Sequence, residues 1–505
     1  MVLNGAIGAK MHIPFSVAIR SSFGYYLAYF CIVSRSILAM FWLGIQGANG
    51  AQCITIMIQA IWPSYGNIKN HIAADQGITT QGMIRYDTIH LRESPGKLTT
   101  YSYFLFWIIQ LPLLLIPPTK LRYLFATKLI AAPITALATM GWCVHKAGGS
   151  GNIFALKATV SGSTKAYLFL SSMSSVTGSW ATLACNIPDF SRYARSSKGQ
   201  FIQLPFLPII FTLCAVIGIV TTSATQVIYG ELMWNPLDII AKWLESGHGG
   251  RAAAFFAATS WYIAQVGTNI TANSISAAND LTVLFPRYVN IERGCIIAAI
   301  VGGWVIVPWK ILSSASTFLA FMGGYAVFLA PIAGIMASDY WIVKRQNYDV
   351  PALYDPNGRY HFWHGINWRA LLALVTAVSP NLPGLGYSIG QPSDPTTGTN
   401  PVHISNGAKN LYTFDWLFGF VTSIVVYVTL SFIFPSPEAS VSETVFGHDI
   451  IDGNHSSDVE SAKNVTHGEK DFGNVDAVDI GTDFHLHHQH QHEKHAEAHT
   501  TGVVA

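Results

Sequence analysis

Uncharged, mainly apolar runs recur along the first 437 residues of this chain, separated by charged or Gly/Pro-rich connections. They fall at 36–62, 99–119, 129–145, 166–188, 199–230, 252–279, 294–309, 311–338, 370–393 and 416–437. A bilayer core takes about 20 residues of helix, with a range of ~17–25, so the pattern predicts ten membrane-crossing helices. The runs 129–145 and 294–309 are short; the first extends back over Lys128, whose stem can carry its ammonium out to the headgroups. The expected organisation is a partly apolar, amphipathic lead-in over 1–35, a transmembrane domain over 36–437 and a tail over 438–505. The fold class is all-α, a polytopic helix bundle.

One run differs from the rest. Within 252–279 the apolar background carries Gln265, Thr268, Asn269, Thr271, Asn273, Ser274, Ser276 and Asn279. At helical spacing Gln265, Asn269, Asn273, Ser276 and then Asp280 share one stripe. Amides in hydrocarbon are costly unless they face protein or a water-filled path. The stripe therefore reads as a binding face or conduit, with interhelical hydrogen bonding as the plainer alternative.

Composition agrees with a membrane protein. Half of the residues are hydrophobic, 11% are charged and the mean hydropathy is +0.35, against about 25% charged in soluble domains. The net charge of +2 conceals two unlike parts: residues 1–435 hold 26 Lys+Arg and 14 Asp+Glu, whereas 436–505 hold 3 and 13. The acidic tail is too poor in large apolar side chains to form a core. Its Lys463, Lys470 and Lys494 are its only side-chain acceptors for ubiquitin, which makes a ubiquitin ligase and the endocytic machinery expected partners. The run from His485 to His499 could hold a transition metal weakly, with low-complexity drift as the rival reading. Two glycosylation sequons, at Asn454 and Asn464, would matter only outside the cell.

The six cysteines lie in or beside apolar runs without CxxC spacing and read as small core residues. No phosphate-cradling loop, nucleophile elbow or helical His cluster is present in the sequence, so neither an enzyme nor a cofactor is expected, and nothing points to nucleic acid. Alternation of ten spans puts Lys10, Arg20, Lys128, Arg192, Arg287, Lys344 and Arg369 with their neighbours on one side. That side carries 14 basic residues, mostly in short connections, against 11 on the other. The positive-inside rule makes it cytosolic, together with the tail.

Several runs contain interruptions. Ser171 to Ser179 is small and polar, and Gly178-Ser179 should let its helix unwind near mid-membrane; Gly302-Gly303 and Gly323-Gly324 could act likewise, or serve close packing. Discontinuous helices point to transport sites. In the first run Trp42 and Gln46 are one turn apart on a single face, with Arg35 two turns earlier. Trp180 follows the Gly178 break, and Asn273 belongs to the polar stripe. An indole for stacking and two amides, each with a donor beside an acceptor, suit a flat ring edged with N–H and C=O groups.

These residues carry a family resemblance. The stretches His12-Ile-Pro-Phe-Ser-Val-Ala-Ile-Arg-Ser-Ser-Phe-Gly24, Trp42-Leu-Gly-Ile-Gln46, Asn186-Ile-Pro-Asp-Phe-Ser-Arg-Tyr-Ala194, Gly267-Thr-Asn-Ile-Thr-Ala-Asn-Ser-Ile-Ser-Ala277, Ser338-Asp-Tyr-Trp341 and Asp349-Val-Pro-Ala-Leu-Tyr354 resemble the nucleobase–cation symporter family, most closely its fungal Fur-type branch of uracil, allantoin and uridine permeases. The likeness covers about residues 2 to 435 and excludes the tail. It implies a twelve-helix fold whose first ten helices form two inverted five-helix repeats. It implies that Trp42, Gln46 and Asn273 contact the ring and that Trp180 completes an aromatic sandwich, although many Fur-type members carry Phe there. Phe321 and Met322 match the outer gate. Ala264 and Thr268 match cation-site positions of sodium-coupled relatives; Gly267 stands where those have a hydroxyl, which favours a proton as the coupling ion.

Aligned with that fold, the ten spans correspond to helices three to twelve, with the first helix and nearly all of the second absent. The expectation is a multi-pass plasma-membrane permease importing a small planar heterocycle with protons. The alternative is a non-transporting fragment or nutrient receptor, held in the endoplasmic reticulum if the pocket lacks a wall. Asp280, closing the stripe, is the candidate proton acceptor. Asp189 is expected to pair locally with Arg192 and Arg195, or to act as a gate latch.

Overall fold

The computed structural model describes residues 1–68, 101–157, 159–311, 315–391 and 400–447. All ten apolar runs carry helix. The principal elements are α1 (Val2–Met11), α2 (Leu27–Ile61), α3 (Tyr101–Leu114), α4 (Arg122–Ala147), α5 (Gly162–Ser179), α6 (Ala181–Asn186), α7 (Gln203–Tyr229), α8 (Pro236–Lys242), α9 (Gly247–Thr268), α10 (Ser276–Leu284), α11 (Ile291–Ile300), α12 (Ala315–Ser338), α13 (Trp368–Val378), α14 (Leu382–Ile389) and α15 (Asp415–Ile433). Among the described residues six helices are long and apolar enough to span a bilayer unaided, or seven if a bent pair is one span. The count is below ten because several spans are broken or short.

The breaks have identifiable causes. α5 stops at Trp180, whose backbone (φ −111°, ψ 7°) leaves the helical region before α6 resumes. Between α9 and α10 the chain widens into a π-helical turn, Asn269–Ile275, and a second such turn, Val301–Val305, follows α11. Such turns recur at functional sites because they re-aim side chains within a continuous helix. Gly302 serves close packing: a Cβ there would stand 2.4 Å from Met40 O, and one at Gly44 would stand 2.2 Å from Gly302 O. Gly323 and Gly324 lie within unbroken α12, contrary to the expected interruption.

Residues 1–35 are more structured than composition suggests. α1 turns by 92° into the Phe15–Phe23 segment. Ile7, Met11, Phe15, Ile19 and Phe23 then join one buried core with residues of α6, α12, α13 and α15. At ~1.5 Å per residue, the 35-residue α2 is about 52 Å long and runs through both main cores. α7 leaves most of its apolar side chains exposed, as lipid-facing helices do; α4 buries only Thr139 and Cys143, and α5 only Gly178.

The connections expected on one side do meet. Lys10 Nζ donates to Gln346 O (2.8 Å), Arg20 Nη1 donates to Leu353 O (2.9 Å), and His12 Nδ1 lies 2.8 Å from Arg192 O. On that face Asp339 accepts from Ser21 Oγ (2.9 Å), Tyr348 OH (3.1 Å) and Tyr427 OH (2.8 Å), joining three parts of the bundle. The compact unit extends to Phe446, beyond the boundary at 437. Val445 exchanges backbone bonds with Tyr348 O (2.9 Å) and Val350 N (3.0 Å), which holds the chain after α15 against the bundle. The tail's His run, sequons and three lysines lie outside the described residues.

Candidate functional site

Two contacts pin α2 to the α9–α10 region in antiparallel order. Near one end Arg35 meets Asp280; further along, Asn269 Nδ2 donates to Leu43 O (3.0 Å). Asn273 lies between these pins and therefore opposite the Trp42 turn. Asn269 is fully buried and also donates to Gln110 Oε1 of α3 (3.1 Å). Its own oxygen accepts from Asn273 Nδ2 (2.8 Å). The π-helical turn aligns these two amides.

Trp42 is partly buried and lies where the two main cores meet, and Gln46 is partly buried one turn on. Phe321 joins this region through Phe41 (ring centroids 5.2 Å apart) and Tyr325 (5.3 Å). Met322 is buried, and its carbonyl faces Gly178, so the end of α5 meets α12 beside the expected gate. Trp180 is 40% exposed and its ring lies edge-on to Phe211 of α7 (4.9 Å). The structure thus packs Trp42 and Phe321 against the same two cores, leaves Asn273 on the segment that faces α2, and turns Trp180 toward α7.

The cation-site positions hold something the sequence reading missed. Ala264 is buried, and Thr268 Oγ1 accepts from Lys128 Nζ at 2.7 Å. The Lys128 stem lies along Gly267, where a Cβ would come within 2.9 Å of Lys128 Cδ. Lys128 does not reach out to the headgroups as its apolar flanks suggested; it turns inward and sets an ammonium beside Thr268. The one sequence signal was Gly267, which leaves room for that stem.

A buried charge cluster forms the wall beyond Asn273. Arg35 is fully buried; its Nε and Nη2 both donate to Asp280 Oδ2, the Nε bond at 2.6 Å, and Nη2 also donates to Ser276 O (2.5 Å). Asp189 Oδ2 stands 3.8 Å from Arg35 Nη1, and its Oδ1 accepts from Phe15 N (2.9 Å). The ion pair of Asp189 is therefore with a helix far away in sequence, whereas the Arg192 guanidinium lies over Tyr193 (4.8 Å). With the Asn186 carboxamide turned so that both of its ends are satisfied, its oxygen accepts from Arg35 Nη1 (2.8 Å) and Ser276 Oγ (2.9 Å). Two carboxyl groups thus face one guanidinium in a site closed to water. Asn186, Gln110 and Lys128 are the residues that spacing within single helices could not nominate.

All six cysteines are free thiols; Cys31, Cys53, Cys143, Cys185 and Cys295 are buried, and Cys214 is exposed. Among the described residues no cluster of His, Cys, Asp and Glu could hold a metal ion.

Comparisons with known proteins agree with this architecture. Residues 1–419 match the family model described as permease for cytosine/purines, uracil, thiamine, allantoin. An uncharacterised permease of Schizosaccharomyces pombe is 36% identical over 448 residues, which is 88% of this chain and 75% of the relative. The allantoin permease of Saccharomyces cerevisiae is 32% identical over 455 residues, 88% of this chain and 67% of that one. The solved structure of Mhp1, a nucleobase-cation-symport-1 family transporter in a closed conformation with bromovinylhydantoin bound, superposes with a TM-score of 0.60 at 19% identity, covering 86% of this chain and 83% of that chain. The fold is therefore that of a multi-pass membrane transporter rather than an enzyme, and the chain belongs to the family of permeases for cytosine/purines, uracil, thiamine and allantoin.

Proposed function

We propose that this chain carries a small planar heterocycle of the uracil, allantoin and uridine class together with a proton, by alternating access at the plasma membrane. The observation that carries the reading is the Asn273 carboxamide, held by Asn269 opposite the Trp42 turn. Trp42 supplies a face for stacking, and Gln46 and Asn273 supply paired donors and acceptors for a ring edge. Trp180, ending the broken α5, is the candidate second face and would turn from Phe211 toward the ligand to serve as one; Phe321 and Met322 line the expected outer closure.

Proton coupling draws support from Lys128. Its ammonium donates to Thr268 beside Ala264, where a coupling metal ion would otherwise supply positive charge. The Arg35–Asp189–Asp280 cluster supports the same reading, because one proton on a carboxylate balances its charge. Substrate and proton must together favour the occluded state, since a ligand with equal affinity for every state shifts nothing. The acidic tail, through Lys463, Lys470 and Lys494, would give a ubiquitin ligase its sites for removing the permease from the surface.

The test is uptake of radiolabelled uracil and allantoin in cells lacking their own permeases, competed by a panel of nucleobases, nucleosides and ureides. Uptake that rises with an inward proton gradient and persists when sodium is replaced by choline is expected. Uptake that requires sodium and ignores the proton gradient would overturn the coupling. Failure of every planar heterocycle to compete would overturn the substrate class.

A further inference from the structure

The site contains a chain of hydrogen bonds whose polarity is fixed at one end. Leu43 O is a backbone carbonyl and can only accept, so the Asn269 group facing it at 3.0 Å is the amide nitrogen. Gln110 Oε1 accepts from the same nitrogen at 3.1 Å. Asn269 must then turn its oxygen to the other side. That oxygen can only accept, so Asn273 must offer its nitrogen, and it does so at 2.8 Å. Asn269 is fully buried and Gln110 nearly so, which makes reversal of any link costly.

We infer that Asn269, supported by Gln110, is a positioning residue that locks Asn273 with its carboxamide oxygen toward the ligand, so that the permease selects heterocycles presenting a ring N–H donor there. This rests on the proposed role of Asn273 in substrate binding. A free asparagine could rotate its amide and accept either a donor or an acceptor; a locked one cannot. Asn273 Oδ1 has no partner among the described residues, which leaves it available to the ligand. A site built to pair with an N–H rejects an analogue that lacks it, because its own buried oxygen is left unpaired.

The experiment measures competition against uracil uptake by analogues methylated at each ring nitrogen in turn, and by cytosine, which keeps the uracil shape while exchanging donors and acceptors along one edge. The full chain is compared with Asn269→Ala, Gln110→Met and Asn273→Ala, each with surface abundance followed by a fluorescent fusion. In the parent protein at least one of these analogues should compete about 100-fold less well than uracil. Asn269→Ala should shrink that ratio by at least tenfold, and Gln110→Met should shrink it about threefold. A role in folding alone would lower transport of all ligands equally and leave the ratio unchanged. If Asn269→Ala reaches the surface with its ratio unaltered, the inference falls; if that variant does not reach it, an unaltered ratio in Gln110→Met overturns it. Asn273→Ala separates the two claims: normal affinity there removes the binding role itself, whereas lost affinity with unchanged ratios in the other variants removes only the lock.

Discussion

Arg35 of α2 and Asp280 of α10 form a buried ion pair 245 residues apart in sequence, neither side chain reached by solvent. Replacing one member leaves an uncompensated buried charge, at a cost of about 3–5 kcal/mol. Arg35→Met should therefore lower the melting temperature and membrane abundance of a fluorescent fusion sharply, because Asp189 and Asp280 then face each other. Adding Asp280→Leu should recover part of the loss, since an apolar pair is tolerated where a lone charge is not. Thermal stability equal to the parent in Arg35→Met alone would show that the cluster does not carry the charge balance described.

Asn273→Ala should abolish recognition of planar heterocycles while leaving the protein in the membrane. The site loses both the oxygen offered to the ligand and the bond to Asn269. A fall in affinity of about 100-fold or more is expected from a hydrogen-bonding site deprived of its partner. Competition assays at matched surface abundance measure it, and unchanged affinity would remove Asn273 from the site.

Lys128→Met should flatten the dependence of uptake on the proton gradient and reduce concentrative uptake at least tenfold. The thioether keeps the packing against Gly267 but withdraws the donor from Thr268. Lys128→Arg, which retains a charge and a donor, should restore part of the activity. Uptake measured across external pH, with and without a protonophore, checks this; a parent-like pH profile in Lys128→Met would exclude the lysine from coupling.

Asp238, on α8 between two spans, is held by Gln52 Nε2 (2.5 Å) and Asn235 Nδ2 (3.3 Å). Burial pushes its carboxyl up to about 6, against the pull of those hydrogen bonds. The native state therefore binds this proton more tightly than the unfolded chain, whose carboxyl titrates near ~3.9. Stability from this group is greatest below pH ~4, falls as pH rises toward about 6, and stays reduced above it by ~1.4 kcal/mol for each unit of difference. Asp238→Asn keeps the acceptor for Gln52 and removes the charge. It should raise the melting temperature of the detergent-purified protein clearly at pH 7.5 and much less at pH 5. An equal gain at both values would contradict the burial argument.

Truncation should be tolerated after Phe446 and damaging before Val445. Deleting 440–505 removes two backbone bonds to the 348–350 segment and the contact of Asn347 Nδ2 with Ser442 O (2.8 Å). At about 1 kcal/mol net for each bond, that shortening should cost roughly 2–3 kcal/mol. Melting curves of the two truncated forms provide the comparison, and identical curves would mean that the strand-like contact of Val445 is not stabilising.

The amino-acid sequence by itself determined where helix lies between residues 36 and 437, because an uncharged run of spanning length has few alternatives in a bilayer where every backbone group must be bonded internally; it did not determine how many of those runs are continuous spans. It also determined which segment is polar, since Asn269, Asn273, Ser276 and Asp280 recur at helical spacing, although the π-helical turn Asn269–Ile275 departs from the regular period. The break at Trp180 was legible for a similar local reason, a Gly-Ser pair in a small polar stretch.

Tertiary structure decided the rest. The buried role of residues 1–23 was hidden because α1 has no continuous polar face and its sharp turn at His12 depends on the α6, α12 and α13 surfaces that receive it. Lys128 could turn outward or inward with equal covalent ease; only the space beside Gly267 and the hydroxyl of Thr268 directed it inward. Asp189 had two arginines close in sequence, yet its partner is Arg35, because packing brings α2 against the end of α6 while the chain direction carries Arg192 to the surface. The polarity of Asn273 rests on a backbone carbonyl of another helix. Sequence spacing shows which side chains share a face, but charge partners and amide orientation depend on what the opposing helix presents to that face.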